Sequence, residues 1–412
     1  MNQKVVRRLR LAALHRVAFV VGLLAGLLAF SNTAGARSSN NGPSAGIYDP
    51  TQNCIRDETS LPAVPSVAGD QFVVRGATAD ATVAKTVTGV LRSQDVFDVY
   101  EKGLGIPSLL QPGQPGPFPV FVDSKLDPDL DGVFAPLCEY PKRGALVVSA
   151  TITSHDELVA TTDHELFHAA QFALLRELTT GSNWWLEASA TAAESWFGTK
   201  DSARFDGALI NNPLTPMDES TYLAPHQYGA YLFVQWILGT SGKPTNAGWA
   251  FLRDSIKDVV SLGSTEGVDA ALGSNYQETF GDEVATFWAD HTNPHPMFGP
   301  AAHLVQDDIK SSHEIFAIQP PKQYAAKLRQ FLPTTKDQQL EIIVHKLPAD
   351  LEVVINLGNG SYRKLQSGDS FNETFCRSGY TPGSYPLPAT GDVRVAIVTT
   401  GKTPPHLLTS RP

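Results

Sequence analysis

The sequence predicts an α+β protein in three parts: a small N-terminal α/β lobe, a helical region, and an all-β, sandwich-like C-terminal domain. Three observations predict it. Up to about residue 150, short apolar runs flank a helical pattern. From Ser154 to His291 one helical segment follows another. Beyond Pro320 the chain turns to β-branched runs separated by Gly, Pro, Ser and Asn, the punctuation of an all-β domain. At 412 residues the chain is too long for one small core, so two or three domains are expected. With 42% hydrophobic and 18% charged residues, wholesale disorder is excluded.

Residues 1–36 read as a targeting segment. Lys4, Arg7, Arg8, Arg10 and Arg16 form a basic leader, Val17 to Phe30 an apolar run, and Ala34-Gly35-Ala36 a small-residue cleavage site. These are the three regions of a signal peptide. The apolar run is short for a bilayer span, with an uncleaved anchor as the alternative. Arg7-Arg8 also admits a twin-arginine export route. No later segment is apolar enough to span a membrane, so the expected mature protein is exported, extracellular or periplasmic, and free of the membrane.

Residues 37–66, rich in Ser, Asn, Gly and Pro, read as a linker or arm. The lobe, 67–150, opens with a strand at Phe72-Val73-Val74. A helical pattern over 81–102 and a Pro/Gly loop over 111–119 follow, then strands at 118–122 and 145–149. Ser154 with Glu157 is a capping box. It opens a helix expected to reach about Glu177. Further helices are expected over 184–197, 226–238, 247–260, 267–272 and 280–291, within a helical region of 151–310. Strands at 340–345, 351–357 and 393–398 fall in the β domain, 318–405.

Cleavage after Ala36 removes five basic residues, so Lys+Arg falls from 32 to 27 against 42 Asp+Glu, and the net charge moves from −10 to −15. Such an acidic surface argues against nucleic acid and anionic membranes as partners. Export permits disulfides. Cys54, Cys138 and Cys376 allow one pair and one left over. Spacing does not choose the pair; Cys54 with Cys138 is favoured as nearest in sequence. No spacing among them matches a zinc–thiolate pattern.

The segment Asp163-His164-Glu165-Leu166-Phe167-His168 carries the chemistry. Four residues apart on a helix, His164 and His168 share a face and can present two imidazoles to one ion. Glu165 beside them can reach a water that zinc acidifies, take its proton and pass it to a leaving amine. A catalytic zinc needs a third protein ligand. Glu187, nineteen positions after His168, supplies one if a second helix returns. Ala188, Ala190, Ala192 and Ala193 would let the two helices approach closely. Glu194, seven beyond Glu187 on the same face, can accept the free N–H of a ligating histidine.

The sequence resembles the gluzincin zinc metallopeptidases: H-E-x-x-H, then about eighteen residues, then a glutamate on an alanine-rich helix. Trp184, Glu187, Ala190 and Glu194 match the pattern W-x-x-E-G-x-A-x-x-x-E, with Ala188 in place of glycine. The resemblance is carried by 145–240 and implies 67–310 as a catalytic domain. It implies His164, His168 and Glu187 as zinc ligands and Glu165 as catalytic base. Neither a G-x-M-E-N stretch nor an N-A-x-W segment is present, so the chain resembles the clan rather than either branch. The resemblance also implies a cleft-lining edge strand at Gly144–Ser149, where an extended peptide or protein substrate can pair; an interior strand is the alternative.

An electrophile for the oxyanion is expected from Tyr228, with His226 next; a core tyrosine is the alternative. Asp127, Asp129 and Asp131 before Gly132 resemble the start of a calcium loop, but the twelfth position is Cys138, so an acidic turn is favoured over calcium. Asn359-Gly360-Ser361 and Asn372-Glu373-Thr374 fit glycosylation sequons. The leading expectation is a secreted zinc endopeptidase. Alternatives are a zinc hydrolase of another amide or ester, and a non-catalytic surface or adhesion protein.

Overall fold

The computed structural model describes residues 47–109, 116–175, 184–199, 201–212, 215–218 and 226–291, and eight strands between 305 and 399. The expected signal peptide, residues 37–46 of the arm and the Asn359 sequon lie outside the described residues.

The N-terminal sheet is mixed, with its strands in the order Phe72–Gly76, Phe118–Asp123, Gly144–Ser149, Gly132–Pro136. Strands β3 (Phe72–Gly76), β4 (Phe118–Asp123) and β6 (Gly144–Ser149) run parallel, and β5 (Gly132–Pro136) runs antiparallel to β6. Every residue of β4 and β6 is buried, as a strand covered on both faces requires. Val120, Val122, Leu146 and Val148 join the main core with the helices. Phe121, Ala145 and Val147 face a second cluster with Ile47, Ile55 and Leu137. That second face is covered by the arm, whose β1 (Tyr48–Asp49) and β2 (Cys54–Ile55) pair antiparallel. Three ties hold it: the Cys54–Cys138 disulfide, the Cys138 N–H on the Ile55 carbonyl at 2.8 Å, and the Ile47 N–H on Asp123 Oδ2 at 2.8 Å.

Two expectations change here. The strand at Gly144–Ser149 is interior, between β4 and β5, and β5 is the edge. The chain doubles back at 137–143, and β5 pairs outside β6. The single helix expected over 81–102 is two, α1 (Ala81–Ser93) and α2 (Val96–Leu104). Asp95 between them sits at φ +48, which a continuing helix cannot accommodate.

In the helical region, α3 (His155–Leu175) starts where Ser154 Oγ accepts the Glu157 N–H at 3.4 Å, one half of the expected capping box. Helix α4 (Trp184–Glu194) packs against it, extended by a 3₁₀ turn at Ser195–Phe197. Ala188, Ala190, Ala192 and Ala193 of α4 are fully buried. A second 3₁₀ turn, Asp201–Phe205, leads into α5 (Asp206–Ile210), α6 (His226–Gly229) and α7 (Tyr231–Leu238). Then α8 (Asn246–Leu262), α9 (Ser264–Asn275) and α10 (Phe280–Asp290) complete the region. Thr245 and Thr279 cap α8 and α10 through their hydroxyls.

The C-terminal strands are β7 (Val305–Ile309), β8 (Ala326–Pro333), β9 (Gln339–Val344), β10 (Leu351–Gly358), β11 (Ser361–Leu365), β12 (Phe371–Cys376), β13 (Ser384–Pro386) and β14 (Val393–Thr399). They form a five-stranded sheet, β11-β10-β14-β8-β7, and a three-stranded sheet, β13-β12-β9. Pairing is antiparallel except β7–β8 and β12–β13. Strand β7, which precedes residue 318, belongs to the larger sheet. Helix α10 packs on β10 and β14, and Lys364 joins Asp282 of α10 to Glu352 of β10. Among the described residues no helix is long and apolar enough to cross a membrane.

Candidate metal centre

His164 and His168 lie one turn apart on α3, with their Nε2 atoms 3.1 Å apart. Glu187 enters from the first turn of α4, and its Oε2 is 3.6 Å from His164 Nε2 and 3.5 Å from His168 Nε2. One ligand atom from each residue lies within 4.8 Å of the others, and among the described residues this is the group that can hold a metal ion. The alanines of α4 are buried, and their small side chains permit a close approach of the two helices. The three side chains are 12, 19 and 26% exposed in the order His164, His168, Glu187, so the group opens to solvent.

Both rings are fixed from behind. His164 Nδ1 meets Glu194 Oε1 at 3.0 Å. Glu194 is 1% exposed. His168 Nδ1 meets Gln171 Oε1 at 2.8 Å. The Gln171 amide nitrogen donates to the Leu186 carbonyl and Ser189 Oγ, both at 3.0 Å, which fixes its oxygen toward the ring. Each Nδ1 therefore donates, and each Nε2 turns toward the partner ligands. Gln171 had no role assigned from the sequence, although its spacing of three from His168 places it on the same helix face.

The local charges favour a cation. Burial would lower the His164 pKa, but Glu187 and Glu194 outweigh it and raise it to about 10. Burial likewise opposes protonation of His168, and Glu187 raises its pKa. Burial would lift the Glu187 pKa, yet His168 and His164 pull it well below the ordinary carboxylate value. Protons on the rings and a metal ion thus compete for one negative field. Two imidazole nitrogens and a carboxylate oxygen with one side open form the donor set of a catalytic zinc, and the site fits that ion.

Glu165 sits beside this group. Burial raises its pKa against the pull of His164 and His168, and its carboxylate accepts from the Phe134 N–H of β5. Gly132 of β5 lies against it: a Cβ there would fall 2.7 Å from Thr161 Cγ2 and 2.9 Å from Glu165 Cγ. Phe134 packs on Phe172 of α3 at 5.5 Å. The edge strand thus runs along α3 beside Glu165. Strand β5 was missed because its sequence, Gly-Val-Phe-Ala-Pro, mixes strand formers with Gly and Pro.

Tyr228 of α6 reaches the same group. Its ring lies 6.2 Å from that of His164 and stacks on Phe205 at 5.1 Å. Charge on Glu187, then burial, raises its pKa well above the ordinary phenol value, so it remains a hydrogen-bond donor. His226 is 1% exposed, with Nδ1 3.3 Å from the Ala208 carbonyl and Nε2 2.9 Å from the Pro216 carbonyl. Its two nitrogens are engaged by the backbone. The Asp127–Asp131 segment is a hydrogen-bonded turn, with the Asp129 N–H on Asp127 Oδ1 at 3.0 Å and the Leu130 N–H on the Asp127 carbonyl at 2.8 Å.

No family model matches the chain, and no curated protein matches it.

Proposed function

We propose that the protein is an exported zinc-dependent hydrolase that cleaves peptide bonds internally, with Glu165 as general base. One observation carries this reading: two Nε2 atoms and a Glu187 oxygen converge within 4.8 Å with Glu165 beside them. A structural zinc site is closed by four protein ligands and has no need of a neighbouring base. Residues 67–310 form the catalytic domain in this reading, and 318–405 a sandwich-like accessory domain.

His164, His168 and Glu187 would hold the zinc, which would polarise a carbonyl and lower the pKa of a bound water toward neutrality. Glu165 accepts the proton of the attacking water, and its burial-raised pKa lets it return that proton to the leaving amine. Tyr228 donates its phenolic hydrogen to the carbonyl oxygen as negative charge develops. Glu194 and Gln171 hold the imidazoles in register. The edge position of β5 beside Glu165 supports a peptide substrate, because an extended chain can lie along that edge.

A peptide library digested by wild type and by Glu165→Gln tests the proposal. Loss of the base should lower turnover by about 10²–10⁴-fold while zinc content is kept. Turnover equal to wild type in the variant would refute Glu165 as base. Tyr228→Phe should reduce kcat by about 10–10³-fold with little change in KM.

A further inference from the structure

A positive charge stands at one end of this site. Arg204 lies in the 3₁₀ turn Asp201–Phe205, which packs against α3, α4 and α6. Its guanidinium carbon is 4.7 Å above the Phe205 ring. That ring stacks on Tyr228, which in turn neighbours His164. On its other side, Arg204 Nη2 is 3.9 Å from Asp131 Oδ2. Asp131 immediately precedes Gly132, the residue pressed against Thr161 and Glu165. Its backbone is fixed, because its carbonyl accepts the Ser149 N–H at 2.8 Å. The pair therefore joins the residue before the edge strand to the turn whose Phe205 stacks on Tyr228.

This contact is a weak one. Asp131 is 51% exposed and Arg204 33% exposed, and exposed pairs at such a separation contribute little. Asp201, in the same turn, lies beside the guanidinium. A guanidinium has five N–H donors in a planar fork, and one loosely held carboxylate leaves the edge that faces Asp131 exchangeable. A carboxylate on a bound molecule can replace Asp131 there with a bidentate pair, which is stronger and directional.

We propose that Arg204 is a specificity-determining residue that recognises a carboxylate of the substrate, with Asp131 as the group displaced. Substrates then present an acidic side chain beside Arg204. This rests on the zinc-hydrolase reading above.

The test is binding rather than turnover. Dicarboxylic acid monohydroxamates with two to four methylenes, and the same compounds with the acid as a neutral amide, are titrated calorimetrically into zinc-loaded protein. Wild type should bind the best acid at least about tenfold more tightly than its amide. Arg204→Ala should abolish that preference, Arg204→Lys should keep part of it, and Asp131→Asn should increase it. Zinc-loaded protein that binds acid and amide equally, or neither, overturns the role of Arg204 and leaves the metal site standing. Retention of the acid preference in Arg204→Ala overturns it as well. Protein that takes up no zinc refutes the underlying function and this inference together.

Discussion

At the scale of single residues, the centre rests on which nitrogen of each histidine is free. Glu194 and Gln171 decide that by holding the two Nδ1 atoms. Removing either partner should leave the fold intact and weaken zinc binding by about 10–100-fold. Competition with a fluorescent chelator on Glu194→Gln and Gln171→Ala measures this, and unchanged affinity would deny them the orienting role. The carboxylates that raise the His164 and His168 pKa values also mean that zinc must displace protons. Affinity should therefore rise with pH, by about tenfold per unit for each proton displaced. Calorimetry in buffers of different ionisation enthalpy counts those protons. Helical spacing paired His164 with His168 and Glu187 with Glu194 in the sequence, while Glu165 was read from the H-E-x-x-H motif and Glu187 from the need for a third ligand and the family resemblance. Gln171 was present on the same face but is a common surface residue, and only its contacts with Leu186 and Ser189 reveal its use.

At the scale of elements, α3 and α4 could be read from the sequence and the edge strand could not. Capping, periodicity and the alanine run each leave a local signal. An edge strand of five residues, Gly-Val-Phe-Ala-Pro, does not. The order of strands depends on where a chain returns, and so β6 was expected at the edge that β5 occupies. The tight fit of β5 on α3 gives a test. Gly132→Ala puts a methyl into Thr161 and Glu165. It should destabilise the protein by about 1–3 kcal/mol and impair turnover through Glu165, as read by denaturant unfolding beside kinetics. Wild-type values in both would show that β5 does not press on the base.

At the scale of the whole molecule, two links tie peripheral parts to the body that carries the metal centre. The Cys54–Cys138 disulfide anchors the arm over one face of the sheet, in keeping with an oxidising compartment. Cys54→Ala should cost about 2–5 kcal/mol of stability without loss of zinc. The other link is Glu352, with Lys364 and Asp282. Burial, then the Asp282 carboxylate, raises the Glu352 pKa from its ordinary 4.5 to about 7. The folded protein therefore binds this proton more tightly than the unfolded chain. Its contribution is complete below the ordinary value and is lost as pH rises through about 7. Glu352→Gln should flatten the fall in stability over that interval, and an unchanged pH profile would exclude Glu352 as its source.

The central claim is that two helices bring three ligands to one ion. Zinc content of the purified protein, measured beside Glu187→Ala, tests it most directly. About one zinc per wild-type chain, lost or sharply weakened in the variant, is the predicted result. A wild-type protein that binds no zinc after loading, or a variant that keeps it with equal affinity, would contradict the account.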